Sequence, residues 1–188
     1  MSIVAMDIAT ARLLLIHTYK VVDEHVDWLN DKNLMKWSEQ RYKDHSYTSQ
    51  AQFLEDARFH GNPLVWDIRL APTPAIGSLL GESRMTTSVS IGSLHAYCDE
   101  RHRRVDLGIM LGPQYHGNGY AAEAWDSVCM YLATKHHMRK FEAALVDGNV
   151  PIMKMLMRLG WAPEARREHH FIIDGQPYGL VLFGKVYP

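Results

Sequence analysis

Asp106-Leu107-Gly108-Ile109-Met110-Leu111-Gly112-Pro113-Gln114-Tyr115-His116-Gly117-Asn118-Gly119-Tyr120-Ala121-Ala122-Glu123-Ala124-Trp125 is the stretch on which the reading of this chain turns. Val105, Leu107, Ile109 and Leu111 alternate with Asp106, Gly108 and Met110, the period of a strand with one buried face. After Gly112-Pro113 the period changes. Ala121, Ala124, Trp125, Val128 and Leu132 fall on one stripe of a helix that begins near Tyr120. Between the two elements, Gly117 and Gly119 let backbone N–H groups turn to a common point without Cβ obstruction, and the helix aims its positive dipole end there. Such a place suits a pyrophosphate, although a plain strand-to-helix turn uses the same residues.

Working outward, Phe141 to Val146 reads as a buried strand and Pro151 to Arg158 as a helix, with Pro in its first turn and Gly160 after its end. Glu164 to Ile173 and Tyr178 to Val186 flank Asp174-Gly175, a strong hairpin signal. Upstream, Arg12 to Ile16 predicts a short strand and Val22 to Leu29 a helix. Thr48 is the expected N-cap of a second helix carrying Ala51, Leu54 and Ala57, stopped by Gly61-Asn62-Pro63. Trp66, Ile68 and Leu70 alternate with Asp67 and Arg69 as a half-buried strand ending at Pro72-Thr73-Pro74. Two or three antiparallel strands follow between Leu79 and Leu111, with Asp99 to Arg104 as a hairpin tip. The fold class is therefore mixed α/β around a largely antiparallel sheet.

Composition narrows the function classes. The chain has 188 residues, 47% apolar and 22% charged, with 20 Lys and Arg against 21 Asp and Glu for a net charge of −1. One globular domain spanning residues 1–188 is expected, and there is no basic footprint for non-specific nucleic-acid binding. Cys98 and Cys129 have no CxxC or CxxH companion and read as buried, reduced thiols. Asp7 and Arg12 interrupt the N-terminal apolar stretch, which disqualifies it as a secretory segment, and no run approaches the ~18 apolar residues of a membrane span. A soluble cytoplasmic protein with neither a nucleic-acid nor a membrane partner is expected. His136-His137 and His169-His170 read as surface or helix-end residues, since neighbours on a strand face opposite ways, and no metal is expected. Met153, Met155 and Met157 read as core filling.

Two readings of the glycine loop compete. Gly117-x-Gly119-x-x-Ala122 fits a relaxed dinucleotide fingerprint, with Asp147 where a ribose-binding acid would sit. Against it, Gly112 to His116 separate the strand from the first glycine, and the remaining chain lacks further βα units. The other reading starts from Gln114-x-x-Gly117-x-Gly119-x-Ala121. This resembles the Q/R-x-x-G-x-G/A loop of the GNAT superfamily of acetyl-CoA-dependent N-acetyltransferases. Asp106 to Gly112 is similar to that family's fourth strand, and Asn149-Val150-Pro151 through Leu159-Gly160-Trp161 to its last helix and closing turn. The order of elements extends the resemblance over nearly the whole chain, and implies the acyl-CoA N-acyltransferase fold, a twisted sheet of about seven strands flanked by helices.

The resemblance implies a cofactor site and a reaction. Backbone groups of Ile109, Met110 and Leu111 would pair with the pantetheine of acetyl-CoA, with an N–H near Leu111 polarising the thioester carbonyl. Gln114, His116, Gly117, Asn118, Gly119, Tyr120, Ala121 and Ala122 would wrap the pyrophosphate, and Asn149 would bond the cofactor near the last helix. Three positions depart from the family pattern: the commonly basic loop position is Asn118, the residue often aromatic beside the first glycine is His116, and the tyrosine that serves some branches as general acid aligns with Leu156. The amine must lose a proton, which costs about 4.6 kcal/mol at pH 7 for a lysine-like pKa of ~10.4 and about 1.4 for one near ~8. Asp106, where the family often carries Glu, is the first candidate base, with Glu82 and His95 as alternatives; a surface aspartate paired with Arg104 explains the same residue. Trp37, Ser38, Glu39, Gln40 and Arg41 lie in the interhelix segment that lines the acceptor pocket in this superfamily. Their mix of aromatic and hydrogen-bonding groups suits an amino sugar or sugar nucleotide as the small-molecule amine acceptor. A protein N-terminus, as in the ribosomal-protein branch, and a non-catalytic CoA-binding module remain alternatives, and a homodimer is compatible with the sequence.

Overall fold

The computed structural model describes residues 3–71 and 88–187. The expected turn at Pro72-Thr73-Pro74, the stretch from Leu79 to Thr87 and the candidate base Glu82 lie outside the described residues. In chain order the elements are β1 (Ile8–Ala9), β2 (Leu13–His17), α1 (Asp23–Asn30), α2 (Tyr47–His60), β3 (Leu64–Leu70), β4 (Ser90–Asp99), β5 (Arg104–Leu111), α3 (Tyr120–His136), β6 (Lys140–Val146), α4 (Val150–Arg158), β7 (Ala162–Ile173) and β8 (Gln176–Val186). The eight strands form one sheet in the order β1-β2-β3-β4-β5-β6-β8-β7. Every pairing is antiparallel except β5 with β6. The count exceeds the expected seven by the two-residue β1, too short to carry a periodic signal.

Alternation assigns the two faces. Leu13, Leu15, Leu64, Trp66, Ile68, Leu94, Ala96, Val105 and Leu107 join Ala124, Trp125, Val128 and Leu132 of α3 and Leu156 of α4 in one buried cluster. Trp125 and Trp161 meet edge to face within it, 5.6 Å between centroids. The intervening residues, Val65 and Asp67 on β3 and Ser93 and His95 on β4, point the other way, where α1 and α2 lie. Strand β3 is buried on both faces, against the half-buried reading, because an aspartate stands among its outward residues: Asp67 is 2% exposed. Its carboxylate accepts from Ser90 Oγ (2.5 Å) and Arg69 Nε (2.5 Å), with His25 Nε2 of α1 at 3.5 Å. Those partners offset the desolvation of the charge and fasten α1 to the sheet.

Local chemistry explains the ends. The N-cap of α2 is Ser46, not Thr48, because Ser46 and Ser49 close a reciprocal capping box. Gly61 ends that helix in the left-handed region, at φ 66°. At the Asp174-Gly175 turn both residues have positive φ, 52° and 77°, the combination a two-residue hairpin requires. Cys129 is buried, whereas Cys98 is only partly so; burial pushes its thiol up to about 12 and that of Cys129 higher still, so both stay protonated. Phe141 is fully buried at the joint of β5 and β6. Phe141→Ala should destabilise the fold by about 3–5 kcal/mol, read by urea unfolding, against less than ~0.5 for Val186→Ala at its exposed site.

Candidate active site

Strands β5 and β6 start paired and then part. Their register runs Arg104↔Lys140, Val105↔Phe141 and Asp106↔Glu142, and stops. Beyond that point β5 follows β4 as far as Leu111↔Gly92, while β6 follows β8 as far as Val146↔Leu180. The Gly112 N–H donates to the Ile91 carbonyl at 2.9 Å, which sets the phase of the β4–β5 ladder. Even-numbered residues of β5 therefore turn their backbone groups to β4; the Leu107 N–H closes the last rung with Glu142, and the Leu107 carbonyl and the groups of Ile109 and Leu111 turn into the fork. Unpaired backbone groups at such an edge are ready to take an extended amide-bearing ligand as an added strand. Of the expected Ile109, Met110 and Leu111, the backbone of Met110 faces β4 instead. The Leu111 carbonyl accepts from His116 Nε2 at 3.0 Å and leaves only its N–H open.

The glycine loop closes the wide end of the fork. Asn118 Nδ2 donates to the carbonyls of Tyr115 (3.3 Å) and His116 (3.1 Å), and the Asn118 carbonyl accepts from Arg12 (2.9 Å). The loop's carbonyls are thus occupied by the protein's own donors. Among the described residues, by contrast, the N–H groups of residues 117–122 find no acceptor, and Gly119, the N-cap of α3, makes no side-chain cap. Gly117 and Gly119 have φ of 76° and 79°, and a Cβ on Gly117 would meet nothing within 4 Å, so the loop faces open space. Carbonyls in and amides out at a helix N-terminus is an anion-binding geometry. The His116 side chain latches the loop to β5, and that of Asn118 braces it from within. Gln114 is exposed, while Tyr120, Ala121 and Ala122 form the half-buried first turn of α3. Asn149 sits at the N-cap of α4 with its side chain unused for capping.

The face toward α1 and α2 carries the titratable groups. Tyr97 pairs with Asp106, His95 with Gly108 and Ser93 with Met110, so all six residues share that face. Asp106 and Glu142 stand side by side at the apex of the fork. Arg104 turns to Asp99 (2.9 Å) and Glu142 (3.4 Å), and among the described residues no cation pairs with Asp106, which removes the surface ion pair from consideration. Desolvation first, and the Glu142 charge second, raise the Asp106 pKa above the usual carboxylate value. His95 stacks on Phe53 of α2, 5.6 Å between centroids, and burial lowers its pKa to about 4. That makes its imidazole a weak base at neutral pH.

Across the fork, a pocket of about 250 Å³ opens above Ala144 and Val146 of β6, one pleat repeat (~7 Å) from Glu142. Trp37, Ser38, Glu39, Arg41 and Tyr42 roof it, and Phe171, Ile173 and Leu180 complete its floor. Gln40 does not line it; its N–H is capped by Ser38 Oγ and its carbonyl lies against His45. Tyr42, in the same interhelix segment but not among the five residues singled out from it, enters because residues 39–42 form a 3₁₀ turn that brings Glu39 and Tyr42 to one side. Arg41 is committed to the Lys36 carbonyl (3.2 Å) and Asp174 (2.8 Å), tying the roof to the β7–β8 turn. Trp37 packs on Gly148, where any Cβ would overlap its ring, and meets Tyr178 edge to face.

Comparison with known proteins agrees with this arrangement. Residues 12–162 match the acetyltransferase (GNAT) domain, and the chain belongs to that family. It is 26% identical over 110 residues to the uncharacterized N-acetyltransferase YoaA of Bacillus subtilis, a match covering 57% of this chain and 62% of that protein. A GNAT-family acetyltransferase from Bacillus anthracis superposes with a TM-score of 0.74 at 16% identity, over 96% of this chain and 98% of that one. The microcin C7 self-immunity acetyltransferase MccE, solved with acetyl-CoA and AMP, gives 0.73 at 15%, over 95% and 94%. The dinucleotide reading of the glycine loop is thereby set aside.

His95 yields a prediction about pH. The unfolded imidazole takes its proton near pH 6.5 and the folded one only near 4, so between those values the unfolded chain binds the extra proton and acid drains stability. From pH 6.5 to 5 the loss due to His95 is about 2 kcal/mol. His95→Phe should remove that share of the pH dependence in paired urea unfolding curves.

Proposed function

We propose that this protein transfers an acetyl group from acetyl-CoA to the primary amine of a compact acceptor, by direct attack in a ternary complex. The observation that carries this reading is the fork: unpaired β5 backbone along one arm, outward amides at its wide end, and a free carboxylate at its apex. In this reading the Leu107 carbonyl and the backbone groups of Ile109 and Leu111 hold the pantetheine amides, the N–H groups of residues 117–122 hold the pyrophosphate, and Asn149 contributes from α4. Acetyl-CoA supplies the thioester, and the acceptor nitrogen forms the C–N bond as the C–S bond breaks.

Asp106 receives the proton that the amine must lose. Asp106 is exposed on its face of β5, within reach of an acceptor, and its raised pKa makes it a stronger base than an unperturbed aspartate. An unpaired β5 amide polarises the carbonyl as negative charge grows on its oxygen. Leu156 is fully buried in the core, so this chain offers no side-chain acid there and the thiolate takes its proton from solvent. Cys98 and Cys129, held protonated by burial, do not support a covalent acyl-enzyme.

For the acceptor we favour an amino sugar or sugar nucleotide. The supporting observation is the closed roof over β6: a pocket of about 250 Å³ with aromatic walls and Ser38, Glu39 and Arg41 at its rim accommodates a ring more readily than an extended peptide. A thermal-shift titration tests the cofactor: at about 100 times its dissociation constant acetyl-CoA should add ~2.7 kcal/mol of stability, and NAD none. Asp106→Asn should lower kcat by about 10²–10⁴ while the acetyl-CoA Kd holds, measured by thiol release; unchanged turnover at saturating acceptor removes Asp106 from the chemistry. In an acceptor panel the amino-sugar nucleotides should be acetylated, and turnover confined to peptides with free α-amines would overturn the acceptor assignment.

A further inference from the structure

The loop position that would carry a positive charge is Asn118, yet a guanidinium reaches the loop from elsewhere in the chain. Arg12 enters β2 and is half exposed. Its NH1 donates to the Asn118 carbonyl at 2.9 Å, and its Nε and NH2 both lie 2.7 Å from Glu123 Oε2. The Arg12 backbone N–H (3.0 Å) and Thr10 Oγ1 (2.5 Å) hold Glu123 Oε1. The guanidinium also lies 4.8 Å from the centre of the Tyr120 ring, so three residues of the loop and first helical turn meet one side chain.

Two consequences follow from peptide and charge geometry. In a trans peptide the C=O and N–H point opposite ways, so a donor fixed on the Asn118 carbonyl turns the Gly119 N–H away from β2. Gly119 has no Cβ and sits at φ 79°, a conformation that otherwise leaves the peptide free to rotate. Second, Glu123 places a carboxylate in the first turn of the helix whose N-terminus faces the open loop. Left unpaired, it would repel an incoming phosphate; with two guanidinium nitrogens of Arg12 on its Oε2, that repulsion is cancelled.

We infer that Arg12 is a positioning residue for the diphosphate of the cofactor, orienting the Gly119 amide through the Asn118 carbonyl and neutralising Glu123, in place of a cation within the loop. The inference rests on the acetyl-CoA reading proposed above. Calorimetric titration with CoA, and ligand-observed NMR titration with pantetheine, which has the amides and thiol but no phosphates, test it on the whole chain. Arg12→Met should raise the CoA Kd about tenfold or more and leave the pantetheine Kd unchanged, whereas a merely structural role would weaken both ligands alike. Arg12→Lys keeps the charge but loses the fork, and should give an intermediate, CoA-only loss; it serves in place of Arg12→Met if that variant fails to fold. Equal losses for both ligands, or no loss for CoA, overturn the assignment of Arg12. Failure of the unsubstituted protein to bind CoA at all overturns the cofactor reading itself, which separates the two failures.

Discussion

After Asp106 and Glu142, strands β5 and β6 no longer share hydrogen bonds, and the candidate site depends on that separation. A parallel pair continued to its ends would satisfy every backbone group of Leu107 to Leu111 internally and leave nothing for a ligand. Because β5 stays with β4 and β6 stays with β8, each strand keeps one satisfied edge while the edges facing each other open. The same divergence exposes Ala144 and holds the Asp106 carboxylate at the apex, where the two arms meet. Cofactor binding, acceptor access and base placement are three consequences of one interrupted ladder.

The flanking elements brace that fork from both sides. On the face toward α1 and α2, buried Asp67 gathers Ser90, Arg69 and His25 and so fixes α1 on the sheet. Trp28 of the same helix lies against Gly112, where a Cβ would come within 2.5 Å of the ring, and meets Tyr115 edge to face. The start of the glycine loop is therefore packed against a helix whose position is set by a buried carboxylate two strands away. At the far end of the loop, Arg12 and Glu123 tie β2 to the first turn of α3. The loop is held at both ends, and its carbonyls are occupied from the protein side, which leaves its amides as the open face.

Much of this was legible beforehand because it depends on local chemistry. Alternation from Val105 to Leu111, the stripe from Ala121 to Leu132 and the Asp174-Gly175 turn each reflect a short-range period or a φ requirement, and each stands where it was read. The family was suggested by resemblance, of Gln114-x-x-Gly117-x-Gly119-x-Ala121 with the strand before it and the Asn149 to Trp161 segment, since the two glycines alone also fit a plain turn. Other readings failed for physical reasons. Thr48 lost the N-cap to Ser46 because the reciprocal bond with Ser49 satisfies two backbone donors. Gln40 looked equivalent to its neighbours until the 3₁₀ turn carried it away from the pocket and brought Tyr42 in.

By itself the sequence determined the order of the elements from β2 onward, the buried stripes of β5 and α3, and the position of the glycine loop, because these depend on residues within a few places of one another. Tertiary structure alone decided which backbone groups stay unpaired and which charges meet. The freedom of Ile109 and Leu111 is a property of strand register with β4 and β6. Asp106 is left without a cation because Arg104 finds Asp99 and Glu142. Arg12 meets Asn118 and Glu123 across more than a hundred residues of chain, an encounter that no local period encodes, since it exists only when α3 packs on the sheet across β2.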